Sequence, residues 1–426
     1  MDAKNDRLKS ILDKKKDEYA LQLSQLVAID THVLGHGIDG GLEQKGQEYL
    51  IKLFEQMNAD SIVKDFPSEE ILEKSLNLYN EGNLGHNYDG RFNVYATFKG
   101  NGGKSIMFNG HIDTMPAGDV NKWNTPPHEP IIKNGKMYGL GVCDMKGGLM
   151  ASIMAVDLLK EAGIELPGDV IITSVIDEEG GGNGSIIAAM NGQKADGVVV
   201  CEPTNLELVI AHMGFIFFKI EIEGLAVHSG MKWVGVSAIE KAVKIMNAID
   251  ELEHKWLMQH KHILLPGPSS NVGVINGGVA GSTVADYCCF KTCVHYLPGS
   301  MNHEKVVKEY TGAIYRACEG DDWLKDHKPR VSIYQAGGPF EMEKDHEFVK
   351  SFERAYGSAE GKEIKIVGSP SGCDARVWKN IAKCPTVQFG PGSPSQCHAI
   401  NEFIDMEQYF KSILIYANLI LEWCQG

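Results

Sequence analysis

Apolar residues recur at helical spacing from about Asp6 to Ile29 and again from Gly41 to Met57, which predicts two helices at the start of the chain. Ser61–Phe66 and Arg91–Phe98 alternate like half-buried strands, and the polar stretch from about Asn77 to Asp89 reads as a loop between them. Ser105–Gly110 is a short apolar run that delivers His111 to its end. A helix is expected over Gly147–Ala162, a strand over Asp169–Ile176, the start of a helix at Ser185–Met190 and a strand over Gly197–Cys201. Strands alternating with helices predict α/β units with partly parallel pairing, and chemistry in such sheets collects beyond the C-terminal strand ends.

The middle of the chain follows another order. Phe215–Ile222 reads as a strand, Val236–His254 as a helix, Asn271–Ile275 and Ala285–Tyr296 as strands, Glu304–Cys318 as a helix and Val331–Tyr334 as a strand. That βαββαβ order is ferredoxin-like. The expected architecture is an α/β protein with a mixed-sheet catalytic domain over residues 1–212 and 336–426, interrupted by an α+β domain over residues 213–335.

Five short clusters combine His, Asp and Glu with glycine just after apparent strands. The first, Asn109–Thr114, holds His111 and Asp113 two residues apart, so near a strand end both can point the same way. Tyr138–Gly148 holds Asp144 at the start of a helix, where the ordinary reading is an N-cap. A dinucleotide-binding loop is not supported there, because the strand-GxGxxG-helix order is absent. Asp177–Gly184 carries Glu178 and Glu179 ahead of glycines that let the backbone turn, so that both carboxylates can approach one point. Glu202 follows the Gly197–Val200 run, and His398 lies in the Gly/Pro/Ser-rich segment Phe389–Glu402. Taken singly, each has an ordinary structural explanation. Together they form a carboxylate and imidazole set suited to zinc and open to cobalt or manganese. Two His and three carboxylates exceed one tetrahedral zinc, but suffice for two ions about 3.5–4 Å apart if one carboxylate bridges them.

In order and spacing these clusters resemble the zinc-dependent aminoacylase, acetylornithine deacetylase, succinyl-diaminopimelate desuccinylase and glutamate carboxypeptidase family, over nearly the whole chain. The resemblance implies two divalent metal ions per chain, most simply Zn. His111 and Glu202 would bind one, Glu179 and His398 the other, and Asp144 would bridge them. It implies Asp113 as the residue that orients His111, Glu178 as general base to a metal-activated water, and a non-proline cis peptide at Asp144–Met145. The middle domain would be a lid that also forms a homodimer. Its Gly224–Gly230 segment resembles the family's Ala-His-Ser stretch, so that His228 would stabilise the oxyanion from a neighbouring subunit. Ser369–Arg376 and Gly390–Ser393 resemble substrate loops, which makes Asp374, Arg376, Gly392 and Ser393 candidates for substrate binding, with Arg376 gripping a carboxylate bidentately. Two departures bear on specificity: Gly230–Trp233 replaces a small-residue and proline continuation, and Ala285 replaces the usual proline before Asp286.

Composition narrows the partners. The 426 residues include 41 basic and 56 acidic side chains, for a net charge of −15, which argues against nucleic-acid binding. The one dense basic run, Lys14–Lys16, is flanked by Asp13, Asp17 and Glu18 and reads as a solvated helix face. The first residues lack the apolar core of a secretory signal, and Gly147–Leu159 is too short to span a bilayer, so a cytoplasmic protein without membrane contact is expected. None of the ten cysteines forms a CxxC pair. Cys143, Cys201 and Cys397 directly precede candidate ligands, and Cys373 precedes Asp374; the simplest reading is small buried residues packing behind the site.

The expected activity is hydrolysis of the amide bond of a small N-acyl amino acid or related N-acyl amine. A dipeptidase or carboxypeptidase on the same metals, or a deformylase of an N-formyl amine, are the alternatives.

Overall fold

The computed structural model describes residues 2–426 and divides into two compact units. The first runs up to Ile210 and resumes over Met342–Val367 and Cys373–Gly426; the second comprises Ala211–Glu341 with Gly368–Gly372. These limits lie a few residues outside the expected 213–335 because pairing continues past the sequence boundary. Ala211 and His212 pair with Glu341 and Phe340, and the Met213 amide donates to the Ser369 carbonyl at 3.3 Å, which draws the short 368–372 segment into the second unit.

The first unit is built on a mixed sheet ordered Leu208–His212, Thr386–Gln388, Gly197–Val200, Gly103–His111, Gly168–Val175, Asn93–Phe98 and Ser61–Asp65. Its four central strands, Thr386–Gln388 to Gly168–Val175, are mutually parallel, and the outer pairs are antiparallel. Val198, Val199 and Val200 are all buried, the continuous apolar run of a strand covered on both faces. The helix Gly147–Glu161, apolar almost all round, packs against the C-terminal helix Met406–Cys424. Gly148 admits no side chain, because a Cβ there would lie 1.8 Å from the Cys201 carbonyl oxygen, on the residue before Glu202. One helix, Glu69–Tyr79, occupies ground partly read as loop; Leu72 and Ser75 bury its inner face.

The second unit has the strand order Ser269–Gly277, Tyr287–Tyr296, Gly214–Glu223, Arg330–Gly337, all antiparallel, with helices Ala238–Gln259 and His303–Glu319. This is the ferredoxin-like arrangement. Ile216, Phe218, Ile220 and Ile222 alternate inward and meet Ile245, Ile249, Trp256, Tyr310 and Ile314; the Phe218 and Tyr310 rings stack at 4.2 Å. Among the described residues, no helix is long and apolar enough to cross a membrane.

Candidate metal centre and active site

The parallel strands bring the clusters together at their C-terminal ends. His111 is the last residue of Gly103–His111, Asp177–Glu179 follow Gly168–Val175, and Glu202 follows Gly197–Val200. His111 Nε2 lies 3.2 Å from Asp144 Oδ1 and 3.8 Å from Glu202 Oε1. His398 Nε2 lies 3.5 Å from Asp144 Oδ2 and 2.9 Å from Glu179 Oε2. Two three-residue groups result, His111/Asp144/Glu202 and Asp144/Glu179/His398, each with ligand atoms within 4.8 Å of one another. Asp144 belongs to both, offering one oxygen to each side, and the Asp144–Met145 peptide is cis.

The His111 tautomer follows from its contact. Nδ1 lies 2.9 Å from the Asp113 carbonyl oxygen, which can only accept, so Nδ1 carries a hydrogen; Nε2 faces Asp144 and is the atom that a neutral imidazole would offer to an ion. The Asp113 carboxylate is 3.7 Å from Nδ1 and spends its own oxygens on the amides of Glu178 (3.2 Å) and Glu179 (3.0 Å). Asp113 thus orients the imidazole through its main chain and the glutamate pair through its side chain.

Crowding of like charges shapes the electrostatics. Burial, against the pull of the His111 imidazole, pushes the Glu178 carboxyl up to about 7, with Glu179, Asp113 and Asp144 adding to the rise. Burial together with Asp144 holds Glu202 well above the usual carboxylate range. The hydrogen bond to Glu179 raises His398 to about 9. Such a packed set of carboxylates with two imidazoles fits two divalent cations, whose charge would offset the mutual repulsion and keep Glu179 and Glu202 ionised. His111, Asp144 and Glu202 could hold one ion, and Asp144, Glu179 and His398 the other.

The glutamate pair sits on a turn with its own buried support. Asp177 adopts a left-handed φ of 61°, and its carboxylate accepts from Arg91 Nη2 (3.0 Å) and Tyr88 Oη (2.8 Å) and lies 2.7 Å from His86 Nδ1. Arg91 also forms a short bidentate pair with Glu43, all three charges being buried. Sequence reasoning missed this network because its members lie scattered across the first 177 positions with no local motif. Glu402, at the end of the His398 segment, is likewise marked by no local motif.

The expected substrate residues all have partners within the protein. Arg376 is 1% exposed and turns inward: Nε donates to Glu81 Oε2 (3.0 Å), Nη1 to the Cys373 carbonyl (2.7 Å) and Nη2 to the Gly181 carbonyl (2.9 Å). A guanidinium so engaged braces the turn after Glu179. Gly392 likewise spends its amide on Gln408 Oε1 (2.8 Å) and its carbonyl on the Asn205 amide (2.7 Å). Ser393 caps the short turn Pro394–Gln396, accepting the Ser395 amide at 3.3 Å. Asp374 accepts the Ser185 hydroxyl at 2.6 Å, and burial and the nearby Glu178 raise it to about 7. His228 lies in the second unit, exposed, where its Nδ1 accepts the Gly230 amide at 3.1 Å; the ring hydrogen is therefore on Nε2.

Residues 107–422 match the family model described as peptidase family M20/M25/M40. The chain belongs to this family. A relative, the N-formyl-4-amino-5-aminomethyl-2-methylpyrimidine deformylase of Bacillus subtilis, is 31% identical over 363 residues, 79% of this chain and 84% of that one. A probable succinyl-diaminopimelate desuccinylase of Staphylococcus aureus is 27% identical over 361 residues, covering 78% of this chain and 86% of the relative. Among solved structures, a di-peptidase from Saccharomyces cerevisiae superposes with a TM-score of 0.77 at 16% identity and 100% coverage of both chains, a likeness of fold. As a member of the M20 family with relatives that cleave amides, the chain is a metallo-hydrolase of linear amides.

Proposed function

We propose that the protein hydrolyses the amide bond of a small N-acyl amine or N-acyl amino acid, with Glu178 as general base. The observation that carries this reading is the shared Asp144 between two ligand groups, with Glu178 among the same carboxylates. Two divalent ions bound there, Zn being the simplest choice and Co or Mn compatible with the same donors, supply the positive charge that acidifies water and polarises a carbonyl.

Glu178 takes a proton from the attacking water as its oxygen bonds to the carbonyl carbon. It then hands that proton to the nitrogen as the C–N bond breaks, leaving a free amine and a carboxylic acid, which loses its own proton to solvent at neutral pH. Glu178 stands among these carboxylates but in neither ligand group, which leaves it available to accept and return that proton. Asp113 holds the amides of Glu178 and Glu179, so the base and its neighbouring ligand keep their separation. His228, with its hydrogen on Nε2, is assigned the role of donor to the developing oxyanion, and the second unit that of a homodimer contact. The ten free cysteines support a reducing, cytoplasmic setting.

Within this class, an N-formyl amine is the more specific second reading, supported by the 31% identity to the Bacillus subtilis deformylase. The test is a panel of N-formyl, N-acetyl and N-succinyl amines and amino acids alongside dipeptides, assayed with added Zn²⁺ or Co²⁺. The expected result is a higher kcat/KM for one N-acyl class than for any dipeptide. Preference for dipeptides would instead make the protein a peptidase.

A further inference from the structure

We propose that Glu402 is a positioning residue of the metal centre, tying the segment that carries Asp144 to the segment that carries His398. Glu402 stands four residues after His398 and directly before the strand Phe403–Asp405, which pairs antiparallel with Lys136–Tyr138, Phe403 opposite Tyr138. That ladder delivers one further bond, from the Gly139 amide to the Glu402 carbonyl at 3.1 Å. Beyond it the two strands part, and the Glu402 side chain takes over. Its Oε2 accepts the Gly141 amide at 2.7 Å, and its Oε1 accepts the Cys143 amide at 2.7 Å and the Asp144 amide at 3.0 Å.

These donors lie where the chain cannot satisfy them itself. Gly141 has a left-handed φ of 74°, and the turn Val142–Lys146 has non-helical dihedrals at Asp144 and Met145 before the helix Gly147–Glu161 begins. A single buried carboxylate, 1% exposed, gathers three of the orphaned amides, and one of them belongs to the residue that both ligand groups share. Glu402 is not in either ligand group, so it acts through Asp144. The same residue is four positions from His398, so one side chain links the two ligand segments.

The inference rests on the two-metal reading, and the test separates the two. Wild type and Glu402→Gln, each purified as the full chain, are stripped with a chelator and titrated with Zn²⁺ against a competing fluorescent chelator, with thermal melts of both apo forms. A glutamine presents one acceptor oxygen and a mismatched NH₂ to three donors, so Zn²⁺ affinity is expected to fall about 10–100-fold, the range for lost outer-shell partners. With metal saturating, kcat falls while KM stays near wild type. Equal Zn²⁺ affinity in the two chains overturns the role of Glu402 and leaves the metal centre intact. Failure of wild type to bind Zn²⁺ overturns the metal reading itself.

If Glu402→Gln does not fold, hydrogen exchange on the wild-type apo chain decides. Slow exchange across 141–144 supports the clamp, and exchange at the rate of an open loop refutes it.

Discussion

The Asp113 carboxylate oxygen Oδ2 sits 3.0 Å from the backbone amide of Glu179, while the Asp113 carbonyl takes the Nδ1 hydrogen of His111. One residue thus sets a ligand in each of the two groups, Glu179 in one and His111 in the other, by different atoms. Asp113→Asn keeps the carbonyl contact but removes charge from a side chain that accepts two amides. Zn²⁺ content after dialysis should fall, with affinity lowered roughly 10–100-fold. Full metal content together with wild-type kcat would remove Asp113 from the site's support.

Glu178→Gln should lower kcat by about 10²–10⁴-fold, the usual worth of a positioned base, with two metals still bound per chain. The paired measurement is steady-state turnover and metal stoichiometry by atomic emission. A variant holding both metals and turning over near the wild-type rate would show that another group carries the proton.

Arg376→Met tests whether the guanidinium braces the protein or grips substrate. Removing one partner of a buried ion pair, here the one between Arg376 and Glu81, costs about 3–5 kcal/mol. The expected outcome in urea denaturation is a loss of that size, with KM unchanged for substrates with and without a carboxylate. A selective rise in KM for carboxylate-bearing substrates in a variant of wild-type stability would support the substrate role.

The second unit offers a pH test remote from the metal centre. Burial alone would raise the Asp321 carboxyl, but hydrogen bonds from Lys241 (2.9 Å), the Leu324 amide (3.0 Å), Lys244 (3.2 Å) and the Trp323 amide (3.0 Å) hold it well below its ordinary value of 3.8. A depressed folded-state pKa means that the stabilisation is fully present above the unfolded value and fades as pH falls below it. Asp321→Asn should therefore melt below wild type at pH 7, with the gap closing as the pH drops beneath about 3.8. A gap that persists unchanged at pH 2.5 would assign the effect to the capping bonds and not to the charge.

His111, Glu179 and Glu202 come together because each follows one of the parallel strands, which end on the same side of the sheet, whereas Asp144 and His398 are brought there by segments outside those strands. The βαββαβ succession likewise announced the second unit, since hydrophobic period and element order are local properties. The helix Glu69–Tyr79 escaped notice because only Leu72 and Ser75 are buried, too few apolar contacts to mark a period.

Partner choice was invisible along the chain. Arg376 has the same side chain whatever it meets, and only the packing that buries it beside Gly181 brings it to Glu81. Glu402 and Asp177 were legible as acidic residues near motifs, yet their work depends on amides and charges supplied by distant segments. Residue type and spacing specify which atoms can bind a metal or move a proton. Which of those atoms are left over for chemistry is settled when folding excludes water and every other buried polar group has claimed its partner.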